Sequence, residues 1–202
     1  MKGILTVCMA ALLVVASGGN VAGQAARGRA QSAAPAPVAQ TSPGAGPVIV
    51  FETATKGTFE METYPNEAPK TVAQILGLVR RNFYNGQRVH RVVPGFVVQW
   101  GDPQSRDFTK RELWGTRGSG TEIGVGEMNP KRKHRLGAVA AAHPGDPRRA
   151  DSQIYVTLAP APDLDGKYTV FAQVISGMDV VRKLQVGDVI RKATVRDAAP
   201  AK

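Results

Sequence analysis

Val89-His90-Arg91-Val92-Val93-Pro94-Gly95-Phe96-Val97-Val98-Gln99-Trp100-Gly101-Asp102 is the stretch on which the reading of this chain turns. It reads as two apolar strands, Arg88 to Val93 and Phe96 to Trp100, joined at a Pro-Gly turn. Valine-rich runs suit a pleated surface, yet the first holds a guanidinium, Arg91, and the second an amide, Gln99. Arginine is rarely buried unpaired, so Arg91 is expected to face solvent or a site. Register adds a condition. Across a simple two-residue turn Arg91 would lie opposite Val98, and Gln99 would point to the other face.

Outward from this hairpin the chain reads as many short strands and two helices. Val48 to Thr53 is an apolar run, Thr55-Lys56-Gly57 a turn, and Thr58 to Thr63 alternates strictly, the pattern of a half-buried strand. Pro69 suits the first turn of a helix with Val72, Ile75, Leu76 and Val79 as its stripe and Arg80 and Arg81 in its last turn. Asp102 to Arg135 is Gly-rich and polar, without period. Leu136 to Ala142, Gln153 to Leu158, Tyr168 to Ile175 and Val189 to Val195 read as further strands. The charged loop Pro144 to Asp151 separates the first two of these. Ser176 is expected to cap a short helix with Val180, Val181 and Leu184 inward and Arg182-Lys183 near its end. Short strands without a βαβ rhythm or an internal repeat predict an antiparallel barrel or sandwich.

The chain has 202 residues, a formal charge of +10 and one cysteine. Met1-Lys2, the uncharged apolar run Ile4 to Ala16 and the small residues of Ser17 to Ala25 have the layout of a secretory signal peptide over residues 1–25. The run is short for a membrane anchor, the alternative reading, and no stable membrane insertion is expected after signal removal. Cys8 lies inside it, too early for a lipid acceptor, so the processed protein would have no disulfide and would rely on its core. Residues 26–46, rich in Ala, Pro, Gln, Ser and Gly, cannot bury a core and read as a flexible linker. Residues 47–202 fit one domain. That domain keeps all 16 acidic residues and lacks only Lys2, Arg27 and Arg29 of the 26 basic ones. Such a surplus favours acidic partners or anionic surfaces in general and selects none.

Three further blocks stand in order behind the hairpin. Leu136-Gly137-Ala138-Val139-Ala140-Ala141-Ala142-His143 is a glycine-to-alanine strand. Asp151-Ser152-Gln153-Ile154-Tyr155-Val156 is a Ser-Gln-aromatic strand. Asp163-Leu164-Asp165-Gly166-Lys167-Tyr168-Thr169-Val170-Phe171-Ala172-Gln173-Val174 is a Leu-Asp-Gly-Lys hairpin. Together, from about Val48 to Val195, these blocks resemble the cyclophilins, the peptidyl-prolyl cis-trans isomerases. The resemblance implies an all-β fold: a closed eight-stranded antiparallel barrel with a helix over each open end. In a barrel of that size side chains fill the interior, so a ligand must bind on the outer wall.

Carried over position by position, the resemblance makes Arg91 the catalytic residue. Phe96, Val97, Tyr155 and Leu164 would wall a proline pocket, and Gln99 and Gln153 would bond the substrate backbone. Ala142 and His143 would form the neighbouring edge, and Tyr168 would close one side. Because Arg91 and Gln99 must then share a face, the hairpin should hold a bulge or a longer turn. No cofactor or metal is implied. The implied partners are proline-containing peptides and unfolded exported proteins, in the periplasm or outside the cell, with the protein a monomer. The sequence departs from the best-known members at Asp163, where they carry Trp, and at Tyr168, where they carry His; weak cyclosporin binding is therefore expected. Asparagine is common at His143 and methionine at Val97, and the Pro144 to Asp151 loop is one residue longer than usual.

Other chemistries find little support. His90, His134 and His143 are the only histidines, with no zinc-site spacing. His90 points opposite to Arg91 and reads as a satisfied packing residue. Gly115, Gly118 and Gly120 lack the context of a phosphate loop, and there is no Gly-x-Ser-x-Gly elbow. Lys131-Arg132-Lys133-His134-Arg135 reads as a solvated loop, with a polyanion contact as its rival; export argues against nucleic acid. The main rival to an enzyme is a proline-peptide-binding chaperone or scaffold module using the same pocket.

Overall fold

Strict alternation in Thr58 to Thr63 becomes strand β2 (Thr58–Thr63), paired antiparallel with β1 (Val48–Thr53) so that Phe51 lies opposite Phe59. The turn between them closes on Thr53, whose Oγ1 donates to Gly57 O at 2.8 Å and accepts from Lys56 N at 2.9 Å. The structure, a computed structural model, describes residues 46–197. The signal peptide and most of the linker expected from the sequence lie outside the described residues.

Helix α1 (Pro69–Arg80) follows, with Pro69 in its first turn and Val72, Ile75, Leu76 and Val79 buried as the stripe required. Ala68 offers no capping side chain. Glu127 does that work instead: its carboxylate accepts from Lys70 N, Thr71 N and Thr71 Oγ1 at 3.0, 2.8 and 2.7 Å. An acid at a helix N-terminus satisfies orphan donors and complements the dipole. It also ties the long polar excursion to the fold.

The remaining strands are β3 (Arg91–Val93), β4 (Val97–Trp100), β5 (Ala138–Ala141), β6 (Ile154–Thr157), β7 (Val170–Ser176) and β8 (Ile190–Arg196). Every pairing is antiparallel, in the order β3-β4-β6-β5-β7-β2-β1-β8. The sheet curls into an open half-barrel. This corrects the closed barrel expected from the sequence. Edge strands β3 and β8 share no ladder, because the run from Arg88 does not continue as a strand. Val89 N instead donates to Asp188 O, Gly187 N to Val89 O and Ile190 N to Gln87 O, at 2.8–2.9 Å, around a lone bridge between Arg88 and Val189. Those bonds fasten the loops ahead of the two edges and leave the edges apart.

Short α2 (Met178–Arg182) packs against β2, and α1 against β8. The expected Ser176 cap is also corrected. Ser176 ends β7, and the capping position is Gly177 at φ +75°, where a Cβ would meet Thr58 O at 2.5 Å. Only glycine tolerates both that turn and that approach.

The sheet is apolar on both faces. Inward, Phe51 and Phe59 stack with ring centres 5.3 Å apart, and Trp100 meets each edge-on at 5.4 and 5.7 Å. Ile49, Met61, Val98, Val139, Ile154, Val156 and Phe171 complete that core with both helices. Outward, Val97, Ala138, Ala140, Tyr155 and Val170 form a second cluster. Strands buried on both sides read as continuous apolar runs, and β5 and β6 are buried at every position.

Candidate active site

The site begins at the β3–β4 hairpin. Its register pairs Val93 with Val97, Val92 with Val98 and Arg91 with Gln99. Three residues, Pro94, Gly95 and Phe96, therefore lie outside the ladder, closed by Phe96 N donating to Val93 O at 3.0 Å with Gly95 at φ +70°. Proline followed by a positive-φ glycine is the signature of a type II turn. The odd loop length sets Arg91 beside Gln99 on the outer face, as the shared-face requirement demanded.

From Arg91 a row of hydrogen bonds runs across the sheet. The Arg91 guanidinium donates to Gln99 Oε1 at 3.2 Å, and Gln99 Nε2 donates to Gln153 Oε1 at 2.8 Å. Gln153 Nε2 donates to Gly115 O at 2.9 Å and to Arg117 O at 2.8 Å. Both amide protons of Gln153 are thus taken, whereas among the described residues Gln99 keeps one proton and one lone pair without a partner. Arg91 is exposed, and among the described residues no carboxylate pairs with it.

Beside this row lies a cleft of about 200 Å³. Buried Val97 and Tyr155 lie at its base, half-buried Phe96 and Leu164 stand along it, and Arg91 and Gln99 supply its polar side. Ala142, His143 and Tyr168 complete the wall. His143 stacks on Tyr168 with ring centres 4.3 Å apart. Its Nε2 lies 3.0 Å from Lys167 O and its Nδ1 accepts from Gly145 N at 3.2 Å, so the ring is pinned at both nitrogens. Nine of the ten residues expected from the sequence gather here. Gln153 does not line this cleft; it stands behind Gln99, in the wall of an adjoining polar cleft of about 700 Å³ that also takes in Gly115, Ser119 and Asp151.

Sequence reasoning missed the carboxylates that hold this second wall. Buried Asp102 accepts from Gln104 N at 2.7 Å, Gly115 N at 2.7 Å and Arg117 N at 3.1 Å. Asp151 accepts from Ser119 Oγ and from Gly120 N at 2.9 Å. The signal available was an acid at the end of one strand block, Asp102 before the glycine-rich excursion, and another at the start of the next, Asp151 before Ser152-Gln153. His134 was missed as well. It is buried, with Nδ1 2.9 Å from Asp165 Oδ1 and Nε2 2.9 Å from the Tyr155 hydroxyl. The basic run is therefore not a solvated loop throughout. Lys131, Lys133 and Arg135 are exposed, but Arg132 is buried against Glu67 with its guanidinium 3.6 Å from the Tyr64 ring centre.

His90 corrects a further expectation. It is mostly buried, and among the described residues neither ring nitrogen makes a well-formed hydrogen bond. Burial holds its pKa down to about 4, with the nearby Asp102 charge and the Gln153 side chain opposing the shift. Burial also raises the Tyr155 hydroxyl far above its ordinary range, so it remains protonated. Among the described residues no cluster of His, Cys, Asp or Glu is arranged to hold a metal ion, and no helix is long and apolar enough to cross a membrane.

Residues 48–200 match the family described as cyclophilin type peptidyl-prolyl cis-trans isomerase/CLD. A peptidyl-prolyl cis-trans isomerase-like 1 protein of Aspergillus fumigatus is 37% identical over 136 residues, 67% of this chain and 80% of that protein. A peptidyl-prolyl cis-trans isomerase of Arabidopsis thaliana is 34% identical over 141 residues, 70% of this chain and 82% of its own. Among solved structures, a Cryptosporidium parvum cyclophilin superposes with a TM-score of 0.65 at 21% identity, covering 76% of this chain and 99% of that one. It has also been crystallised in the presence of the dipeptide Ala-Pro. A cyclophilin from Hirschia baltica superposes with a TM-score of 0.62 at 26% identity, covering 76% of this chain and 75% of its own.

Proposed function

This chain belongs to the cyclophilin-type peptidyl-prolyl cis-trans isomerases, and from that footing we propose that Arg91 is its catalytic residue and exported proteins are its clients. The observation that carries the reading is the Arg91–Gln99–Gln153 row standing along an apolar cleft large enough for a proline ring.

A prolyl amide resists rotation because resonance ties its nitrogen to the carbonyl, with a barrier of about 18–20 kcal/mol. Uncatalysed exchange takes tens to hundreds of seconds. Halfway round, the resonance is lost and the nitrogen regains a basic lone pair. A guanidinium is permanently charged and carries five N–H donors. With one donor on Gln99, Arg91 keeps others for that lone pair and binds the twisted amide better than either planar form, the condition for catalysis. A ~10⁴-fold acceleration needs only about 5.5 kcal/mol, the order of one charge-assisted hydrogen bond plus positioning by the cleft. Neither a nucleophile nor a cofactor enters these steps.

The two glutamines divide the work. Gln99, with a donor and an acceptor site open, bonds the substrate backbone; Gln153, its protons taken, holds Gln99 in place. Phe96, Val97, Tyr155, Leu164 and Tyr168 grip the proline ring, and Ala142 and His143 take the flanking residue. Proline-containing segments of proteins crossing the membrane are the ligands this assigns, supported by the signal-peptide layout of residues 1–25. Arg91→Ala should lower turnover of a short Ala-Pro peptide on the order of 100-fold, about 3 kcal/mol, with circular dichroism and Tm unchanged. Arg91→Lys, lacking the planar fork, should recover only part. A wild type that binds the peptide without turnover would make this a binding module instead.

A further inference from the structure

Tyr155 is held from behind. Its ring is at the base of the proline cleft, paired across the sheet with Gln99 on one side and Ala140 on the other. Its hydroxyl, remote from solvent, meets His134 Nε2 at 2.9 Å. His134 has a fully buried side chain, and its backbone N and Nδ1 both lie against the same oxygen, Asp165 Oδ1, at 2.8 and 2.9 Å. Burial would raise the Asp165 pKa, but the bonds from His134 and the Lys133 charge, 3.7 Å from the other oxygen, bring it below its ordinary value. An ionised carboxylate only accepts. Nδ1 therefore carries the proton, Nε2 is an acceptor, and the tyrosine hydroxyl donates to it.

The same chain reaches a second wall of the cleft. Asp165 follows Leu164 directly, and His134 O accepts from Ala161 N at 2.7 Å, anchoring the start of the segment that ends in Tyr168. Tyr168 in turn packs nearly perpendicular to both the Tyr155 and His134 rings, with centres 5.7 and 6.5 Å apart. Two parts of the cleft wall, Tyr155 on β6 and Leu164 with Tyr168 on the 161–168 segment, thus hang on one imidazole.

We propose that Asp165 and His134 are positioning residues of the isomerase, which fix the Tyr155 ring relative to Leu164 and Tyr168 and so set the width of the proline cleft. The inference rests on the isomerase reading above and adds to it two residues that touch no substrate. Without the imidazole, the Tyr155 hydroxyl is left buried with no acceptor, and such a group seeks water at the expense of local packing. The cleft that the Tyr155 ring lines offers one route to water.

His134→Phe should therefore raise KM for an Ala-Pro peptide roughly three- to tenfold while kcat stays within about twofold. Adding Tyr155→Phe, which removes the stranded hydroxyl, should bring KM most of the way back. A merely structural role would lower Tm and leave KM in place, and that result overturns the proposal, as does a double variant no better than the single one. Should His134→Phe fail to fold, ¹⁵N-histidine spectra of the wild type decide. The Nε2 resonance should show an acceptor nitrogen and shift on saturation with the peptide; a resonance that stays in place overturns the proposal. Wild-type protein that neither binds nor turns over the peptide would instead sink the isomerase reading, and this proposal with it.

Discussion

Burial of the His90 imidazole beside Asp102 makes the stability of this fold depend on pH. The folded pKa of about 4 lies below the ordinary 6.5, so as pH falls the unfolded chain takes up the proton first. Stability is fully present above 6.5 and drains away from there down to about 4, at up to about 1.4 kcal/mol per pH unit for one group. Urea midpoints of His90→Gln between pH 7 and 4 should fall less steeply than those of wild type. A residual slope will remain, because burial lowers His134 in the same direction. Parallel slopes for the two proteins would refute the assignment. The side His90 takes, opposite Arg91, follows from period two, but its burial does not. Arg91 stands out in the sequence because a charge inside a valine run has no packing reason to be there. His134 sits among four basic neighbours, where solvation is the natural reading, and only the fold turns alternate members of that run inward.

Among the elements, the turn between β3 and β4 decides whether Arg91 and Gln99 share a face. A two-residue loop would turn Gln99 away from Arg91; the three residues Pro94, Gly95 and Phe96 bring them side by side. Gly95 makes that loop possible through its φ of +70°, and a Cβ there would meet nothing within 4 Å. The cost of a side chain is then conformational alone. Gly95→Ala should cost about 1–2 kcal/mol, read from urea unfolding. Gly101→Ala, at φ +117° and with a Cβ driven into Ser152 O and Gln153 Cα, should cost distinctly more. Equal costs at the two positions would contradict this account. Most elements were legible because their apolar period is local: β1, β2, α1 and β4 fall within a residue or two of where the pattern puts them. The caps were not. Glu127 closes a helix 57 residues away and Gly177 replaces Ser176, since a cap depends on what the fold brings near.

The sheet carries one apolar cluster on each face, the inner one packed with both helices and the outer one lining the cleft. Closure was beyond reach of the sequence: whether β3 meets β8 depends on backbone bonds between Val89 and Asp188, which leave no mark on side-chain pattern. Open edges invite pairing with other chains. Here β3 is three residues long and followed by Pro94, while β8 carries exposed Arg191 and Lys192. Inner and outer faces alternate along each strand, so stability and activity should be separable one residue apart. Ile154, fully buried, faces the inner core, whereas its neighbour Tyr155 faces the cleft. Ile154→Val should cost roughly 0.5–1.5 kcal/mol of stability and leave kcat/KM on an Ala-Pro peptide within about twofold. Phe96→Ala removes a half-buried ring from the cleft and touches the inner core nowhere. It should lower kcat/KM roughly tenfold, about 1.4 kcal/mol of lost apolar contact, with Tm little changed. If Ile154→Val damaged turnover as much as Phe96→Ala did, the two faces would be mechanically coupled, and a scaffold that holds from within while binding from without would be the wrong description of this sheet.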